Sequence, residues 1–380
     1  MILSIISWCL VVLLGVPTLY LFVFAVASKL FRGRKPEASR RQRSYAVVIP
    51  AYKSDRFIFD TAKAAVGQDY PADKFRVLVA ADSMSDASLE PLEGIGVEYI
   101  KVSFENSSKI KSLRKAMEHL GPDAADEVVI LDSDNIVEAD FLSKADELIE
   151  AGAVAIQAHR TAKNTDTPVA VIDAAAEEIN NSIFRKGHCA LGISSALIGS
   201  GMVLPYRWFC DNIGAIETSA EDKEIELALL GQGIYVDYAA HIPVLDEKTR
   251  TAANYEGQRR RWQASSFYML TYAAKGLGAA KDRIGYLDKM FQWCIPSRMI
   301  LLAAVPLLAI AATLAGASNA ATWWSVVAAL IAANLIALPG RMYNRELLKS
   351  LVQLPVLAAI SVGNMFHLKG TKEKFIHTEH

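Results

Sequence analysis

Apolar and polar positions divide the chain into three regimes. Residues 2–28, "ILSIISWCLVVLLGVPTLYLFVFAVAS", form an uncharged apolar run of about 25 residues, enough to cross roughly 30 Å of hydrocarbon as a helix. From residue 44 to about 245 the pattern shortens. The β-branched runs "YAVVIP", "FRVLVAAD", "VEYIKV", "EVVILD" and "AVAIQAH" alternate with helical-period segments such as "SSKIKSLRKAMEHLG" and "DFLSKADELIEAG". Beyond residue 299 long apolar stretches return: "MILLAAVPLLAIAATLAGA", "WWSVVAALIAANLIALPG" and the shorter "LVQLPVLAAISVGNMF".

The middle regime predicts an α/β domain over residues 44–275, a mostly parallel sheet with crossover helices. Ligands of such sheets lie beyond the carboxyl ends of the strands. The outer regimes predict membrane segments. Ala25-Val26-Ala27 imitates a signal-peptide cleavage site, but no basic region precedes the run and its core is too long, so residues 1–28 read as a retained anchor. Arg32, Arg34, Lys35, Arg40, Arg41 and Arg43 follow it and assign that flank, and the domain behind it, to the cytoplasm of a multi-pass inner-membrane protein.

Within 299–366 two spans form a hairpin, with Trp323 and Trp324 expected at interfacial depth. The third stretch, with Pro355, Gly363 and Asn364, is expected to re-enter or lie at the interface rather than cross. "YLDKMFQWCIPSR", within 283–298, reads as a helix lying in the membrane plane. The basic tail, 367–380, is expected to be solvated, or to fold back toward the cytosolic mouth of the site.

Composition narrows the function. The chain has 380 residues, 52% of them hydrophobic, and a formal net charge of −1, which argues against a nucleic-acid binder. Cys9, Cys189, Cys210 and Cys294 show no metal-ligand spacing and suit a reducing compartment.

Chemistry gathers at the strand ends. "PAYKSD" follows the first and "ADSMSD", with Asp82 and Asp86, the second. "LDSDN" follows the fourth, where Asp132 and Asp134 are two apart, so an extended backbone points both carboxylates the same way. Such a pair suits a hard divalent cation that also takes phosphate oxygens. Neither GxGxxG after the first strand nor GxxxxGK[ST] is present, which removes the simple dinucleotide and P-loop readings. Taken singly, each acidic pair reads more blandly as a helix cap or polar turn. Glu221 and Asp222 in "TSAED" would then merely favour a helix N-terminus.

In order, "VVIPAYKSD", "ADSMSD", "SSKIKSLRKA", "DSDN", "GSGM", "TSAED" and "QRRRW" resemble a family 2 glycosyltransferase. The likeness runs from Val47 to Trp262 and points to the membrane-bound branch that includes cellulose, chitin and hyaluronan synthases. The resemblance implies a GT-A, Rossmann-like domain between N-terminal and C-terminal transmembrane helices.

It also implies roles. Ala51 and Tyr52 would line the nucleobase pocket, Asp82 would hold uracil or ribose, and Lys109 would lie near the nucleotide. Asp132 and Asp134 would be the DxD pair, with Asp134 the direct ligand of Mg²⁺ or Mn²⁺. Asp222 would be the general base, with Glu221 beside it. Gln258, Arg261 and Trp262 would be QxxRW, with Arg261 on the diphosphate, and Gly201 would join Gln258 and Trp262 on the acceptor side. Ala81 before Asp82, Ser83-Met84 after it, and "SSK" where Gly-Lys is common depart from the family pattern. Those departures bear on nucleotide contacts, including a UDP preference.

The implied reaction is inverting transfer of a hexose or N-acetylhexosamine from a nucleotide-sugar donor to a growing glycan at the cytosolic membrane face. The alternatives are a single transfer to a lipid-linked acceptor, or a catalytically silent nucleotide-sugar scaffold. Membrane lipid is an implied partner and nucleic acid is not. Donor sugar, oligomeric state and any export partner stay open. In a helix, Gln258, Arg261 and Trp262 share one face, so Arg259 and Arg260 are expected to serve packing, nearby acids or the membrane surface.

Overall fold

A computed structural model of the chain describes residues 2–366; the tail expected over 367–380 lies outside the described residues. A long helix, α1 (Ile2–Ala27), precedes the α/β domain. The domain carries strands β1 (Tyr45–Tyr52), β2 (Phe75–Asp82), β3 (Glu98–Val102), β4 (Glu127–Ile130), β5 (Ile136–Val137), β6 (Ala155–Ala162), β7 (Met202–Pro205) and β8 (Val236–Asp246). Its helices are α2 (Ile58–Val66), α3 (Asp86–Glu93), α4 (Lys109–Leu120), α5 (Phe141–Glu150), α6 (Pro168–Asn180), the short α7 (His188–Ala190), α8 (Tyr206–Ile213) and α9 (Glu221–Gly231). Then come α10 (Ala252–Gly276), α11 (Arg283–Cys294), α12 (Arg298–Leu314), α13 (Ala320–Ala337), α14 (Arg345–Ser350) and α15 (Leu354–Phe366).

β1 shows why the domain has three layers. Its side chains alternate, so Tyr45, Val47, Ile49 and Ala51 pack with α2, α3 and α5 on one face, while Ala46 and Val48 pack with α4, α8 and α9 on the other. A strand buried on both faces reads as one continuous apolar run.

The sheet has the order β3-β2-β1-β4-β7-β6-β8-β5. Parallel pairing holds for β1 with β2 and β4, for β2 with β3, and for β6 with β8. β7 lies antiparallel to both β4 and β6, and β5 antiparallel to β8. Parallel pairing predominates, as expected, and the antiparallel β7 and β5 make the sheet mixed. β7 is four residues long and hides behind two glycines. β8 contains Pro243, and its register with β6 shifts between Ala158 and His159, so neither reads as a clean strand.

The reversal has one consequence for function. Because β7 opposes β4, the start of β7 meets the carboxyl end of β4, with Ile130 opposite Met202 and Gly201 N donating to Ile130 O at 2.8 Å. β6 and β8 oppose β7, so their ends reach the same edge.

Among the described residues three helical stretches, Ser4–Leu30, Ala320–Ala337 and Arg345–Met365, are long and apolar enough to cross a membrane; the bent pair α11 and α12, at 63°, would make a fourth. The stretch expected to re-enter gains that length because α14 extends it. α1, α12 and α13 pack together through Leu14, Leu21, Val305, Val327 and Leu330. Leu13, Leu19, Leu307, Leu314 and Leu335 stay exposed around them.

Trp323, expected at interfacial depth, turns its indole inward against α1. It is buried, and its Nε1 donates to Ser7 Oγ of α1 at 3.2 Å. The basic residues after α1 also do more than flank it: Arg34 pairs with Asp237, Arg41 with Asp126, and Arg43 with Asp146 and Glu150.

α1 touches the α/β domain at a π-helical turn, Asn181–Gly187. A Cβ on Gly187 would stand 2.2 Å from Phe24 O, and the Phe24 ring stacks on buried His188 with centroids 3.8 Å apart. Gly187→Ala is expected to cost about 1–3 kcal/mol through this overlap, as core overpacking does. Gly278→Ala, where nothing lies within 4 Å, should change stability by less than about 0.5 kcal/mol. Thermal unfolding of the full chain in detergent compares the two.

Candidate active site

The edge where β1, β4, β6, β7 and β8 meet opens into a cavity of about 530 Å³. Ala51, Tyr52 and Lys53 line it from the end of β1, Asp132 and Asp134 from the end of β4, Gly199 from before β7, and Asp246 from the end of β8. Lys109 enters from the first position of α4, Glu221 and Asp222 from the first two of α9, and Gln258, Arg261 and Trp262 from one face of α10.

Lys53 and Ser83, immediately after β1 and β2, hold φ of +50° and +57° without being glycine, a conformation that costs of order 1–3 kcal/mol and clusters at functional sites. Both turn around Asp82. Lys53 N donates to Asp82 O at 3.1 Å, and Ser83 Oγ to Asp82 Oδ1 at 2.9 Å. Asp82 is fully buried behind the cavity wall, and its Oδ2 has no hydrogen-bond partner among the described residues, a state disfavoured unless a donor reaches it.

Lys109 is the centre of charge. Its Nζ donates to Asp132 Oδ1 and, at 2.6 Å, to Gly199 O, and it lies 3.6 Å from Glu221 Oε1. Burial alone would lower its proton affinity, but Asp132 and Glu221 outweigh burial and raise it. Glu221 itself rises to about 7, through burial first and the neighbouring Asp222 next, against the pull of Lys109. Arg261 faces the same acids, and there burial prevails, lowering its proton affinity below that of a free guanidinium.

Asn135 fixes the acidic loop. It is fully buried; its Oδ1 accepts from Asp132 N at 3.1 Å and from Ser200 Oγ, and its Nδ2 donates to Asp134 Oδ1 and Asp246 Oδ1, both at 3.1 Å. Burial, then the like charges of Asp246 and Asp132, push the Asp134 carboxyl well above the usual range. Asp246 goes the opposite way: Lys248 and Arg160 hold it low against burial.

Among the described residues no three Asp, Glu, His or Cys converge to hold a metal ion unaided. The donor set fits a cation that completes its shell with phosphate oxygens. A divalent ion at Asp134 and Asp132 would relieve the repulsion that raises Asp134.

On α10, Thr251 Oγ1 caps the helix by accepting from Asn254 N at 3.2 Å. Arg259 turns aside to pair with Asp173 and stacks on Tyr255 and Trp262, its guanidinium 4.7 and 4.4 Å from the ring centroids. Arg260 does not line the cavity. Gln258 Oε1 is buried without a hydrogen-bond partner among the described residues. Lys223 ties α9 to α10 through Ser265 and Ser266, at 3.0 and 2.8 Å.

Gly201 requires correction. It does not reach the cavity: φ is +63°, its carbonyl accepts from Ala158 N at 2.8 Å, and a Cβ would stand 2.9 Å from Val244 Cγ2. The glycine at the site is Gly199, at φ +83°, where a Cβ would come within 3.4 Å of Lys109 Nζ and 3.5 Å of Glu221 Oε1. Sequence reasoning also missed Arg160, Asp246 and Lys248, which line the cavity. Arg160 directly follows the "AVAIQAH" run, so the strand-end rule would have found it. Asp246 needed β8.

The domain is a Rossmann-like GT-A fold with a curled mixed sheet. The mannosyltransferase PcManGT from Pyrobaculum calidifontis, solved with GDP-Man and Mn²⁺, shares it at a TM-score of 0.55 and 18% identity, over 88% of this chain and 98% of that one. Residues 1–349 of S. aureus TarS, solved with UDP-GlcNAc, align at a TM-score of 0.43 and 14% identity, over 86% and 90% of the two chains. The model of the family described as "Glycosyltransferase like family 2" matches residues 42–265, more than half of the chain, and the chain belongs to that family of nucleotide-sugar-dependent glycosyltransferases.

The raised Glu221 makes a prediction about pH. Its folded pKa, about 7, exceeds the unfolded value of 4.5, so the folded state holds the proton longer. Stability should therefore fall as pH rises from about 4.5 to about 7. Glu221→Gln should flatten that fall in thermal unfolding measured across this window.

Proposed function

We propose that the chain carries out inverting, metal-dependent transfer of a hexose or N-acetylhexosamine from a nucleotide-sugar, UDP-linked by the family resemblance, to a growing glycan at the cytosolic face of a membrane. One observation carries the reading. The DxD acids, the Lys109 ammonium, the Glu221-Asp222 pair and the Gln258, Arg261, Trp262 face all border a single cavity.

In this reading Ala51 and Tyr52 flank the base, and the unsatisfied Asp82 oxygen behind them accepts from base or ribose. Asp134 and Asp132 would hold Mg²⁺ or Mn²⁺, which would supply positive charge at the diphosphate. Arg261 adds a planar fork matched to phosphate oxygens, and Lys109 is drawn toward them from Asp132. The acceptor hydroxyl is a poor nucleophile, so Asp222 takes its proton as it attacks the anomeric carbon opposite the diphosphate. Glu221, next to Lys109, sets the position of that ammonium. Gln258 and Trp262 orient the acceptor; Arg259 covers part of the indole and stiffens it. The three apolar helices, with exposed leucines around the bundle, support a site beside a membrane, and the basic residues after α1 support its cytosolic face.

A single transfer to a lipid-linked acceptor is the second reading. It is favoured by Gln292 and Trp293 of α11, which border the cavity just before α12. A ladder of product sizes from one primer supports chain growth; one added sugar on a solvent-extractable lipid supports single transfer.

Nucleoside diphosphate release with a panel of UDP- and GDP-sugars and Mn²⁺ tests the proposal. Asp222→Asn should lower kcat roughly 10²–10⁴-fold, the worth of a positioned general base. Turnover unchanged in that variant removes the base assignment. Arg261→Ala should abolish transfer. Arg259→Ala should hurt kcat less while lowering stability, because it strands buried Asp173.

A further inference from the structure

Beneath the last turn of α1 the chain folds over a second concavity, of about 340 Å³, separate from the active-site cavity. Its lining is amphiphilic. Phe31, Tyr238 and buried Leu148 give it an apolar floor, with the two aromatic rings 6.0 Å apart, and Arg32, Arg34 and Lys186 stand around it.

The charges do not balance. The lining acid is Asp237, and Arg34 already clasps it with two donors, at 3.1 and 3.0 Å, while giving a third to Ala151 O. Arg32 and Lys186 are left over. Lys186 belongs to the π-helical turn Asn181–Gly187, a form common at functional sites, and is only partly exposed. Among the described residues it makes no hydrogen bond or ion pair. Burial lowers its proton affinity, and the opposing acid, Glu178, is itself held by Arg341 at 2.6 Å and Thr161 at 2.7 Å. An ammonium kept half-buried beside a second cation over an apolar floor is the complement of an anion carried on an apolar body.

We propose that this pocket seats the phosphate of an anionic membrane phospholipid, with Lys186 and Arg32 as its cationic partners and Phe31 and Tyr238 against the glycerol and upper acyl chain. The inference rests on α1 crossing the membrane, since the residues that follow Ala27 then stand at headgroup depth.

The test uses the full-length chain reconstituted in vesicles of phosphatidylcholine with or without phosphatidylglycerol. Flotation reads membrane insertion, and native mass spectrometry reads retained lipid. The wild type should float with both compositions and retain phosphatidylglycerol over phosphatidylcholine. Lys186→Met and Arg32→Gln should each cut that preference about fivefold, the worth of one basic residue near an anionic surface. Lys186→Arg should restore it, and Lys275→Met, outside the pocket, should leave it intact. Because Lys186→Met could disturb the turn, its thermal midpoint is measured alongside, and Arg32→Gln at an exposed position gives an independent reading. Flotation without any headgroup preference overturns the pocket while the membrane reading stands. Failure to float with either composition overturns the membrane reading beneath it. Millimolar inorganic phosphate binding the wild type without lipid, and displacing phosphatidylglycerol, overturns the lipid in favour of a free anion.

Discussion

The site depends on one reversal of strand direction. If β7 ran parallel to β4, residues 199–201 would emerge at the opposite edge of the sheet, and β6 and β8 would carry Arg160 and Asp246 away with them. Entering antiparallel requires the backbone to turn in a space too small for side chains, which is why Gly199 and Gly201 both take positive φ. Gly199 borders the cavity beside Lys109 and Glu221 and Gly201 faces Val244, so two residues of the same type, two positions apart, meet different surroundings.

That convergence creates an electrostatic problem that the same residues solve. Acids from β4, β8 and α9 crowd within one cavity, and Lys109, Arg160 and Lys248 are interleaved with them. Such buried pairs add little net stability, since desolvation consumes most of the attraction, but they fix geometry. Asn135 does the same without charge, joining Asp132, Asp134, Asp246 and Ser200 through one amide. Lys109 leaves least freedom of all: to move toward a ligand it must loosen its bonds to Asp132 and Gly199 together.

Much of the first half of the domain was legible in the sequence. β1, β2, β3, β4 and β6 fall on short apolar runs with β-branched residues, and the helix-sharing argument for Gln258, Arg261 and Trp262 needed only the helical period. The second half was obscure because its signals are weak in themselves. β8 carries a proline and a register shift; β7 is too short to show periodicity. Gly199 and Gly201 cannot be told apart without knowing what a Cβ would strike. Trp323 reads as an interfacial residue by composition, and that its indole packs against α1 is visible only in three dimensions. The arginines after α1 read as topology signals, and their bonds to Asp237, Asp126 and Asp146 are visible only in three dimensions.

The contact between α1 and the π-helical turn alters what counts as the catalytic unit. Phe24 lends its ring to His188 and its carbonyl to the space that Gly187 leaves free, while Tyr20 bonds both His188 and Asp288. Asp288 in turn accepts from Gln292, a wall residue of the active-site cavity. A protein cut at residue 44 to obtain a soluble fragment would thus not be a domain freed from its tether. It would be a globule with an unsealed seam, exposing the face of a buried imidazole that stands one hydrogen bond from Gln292 in the wall of the active-site cavity.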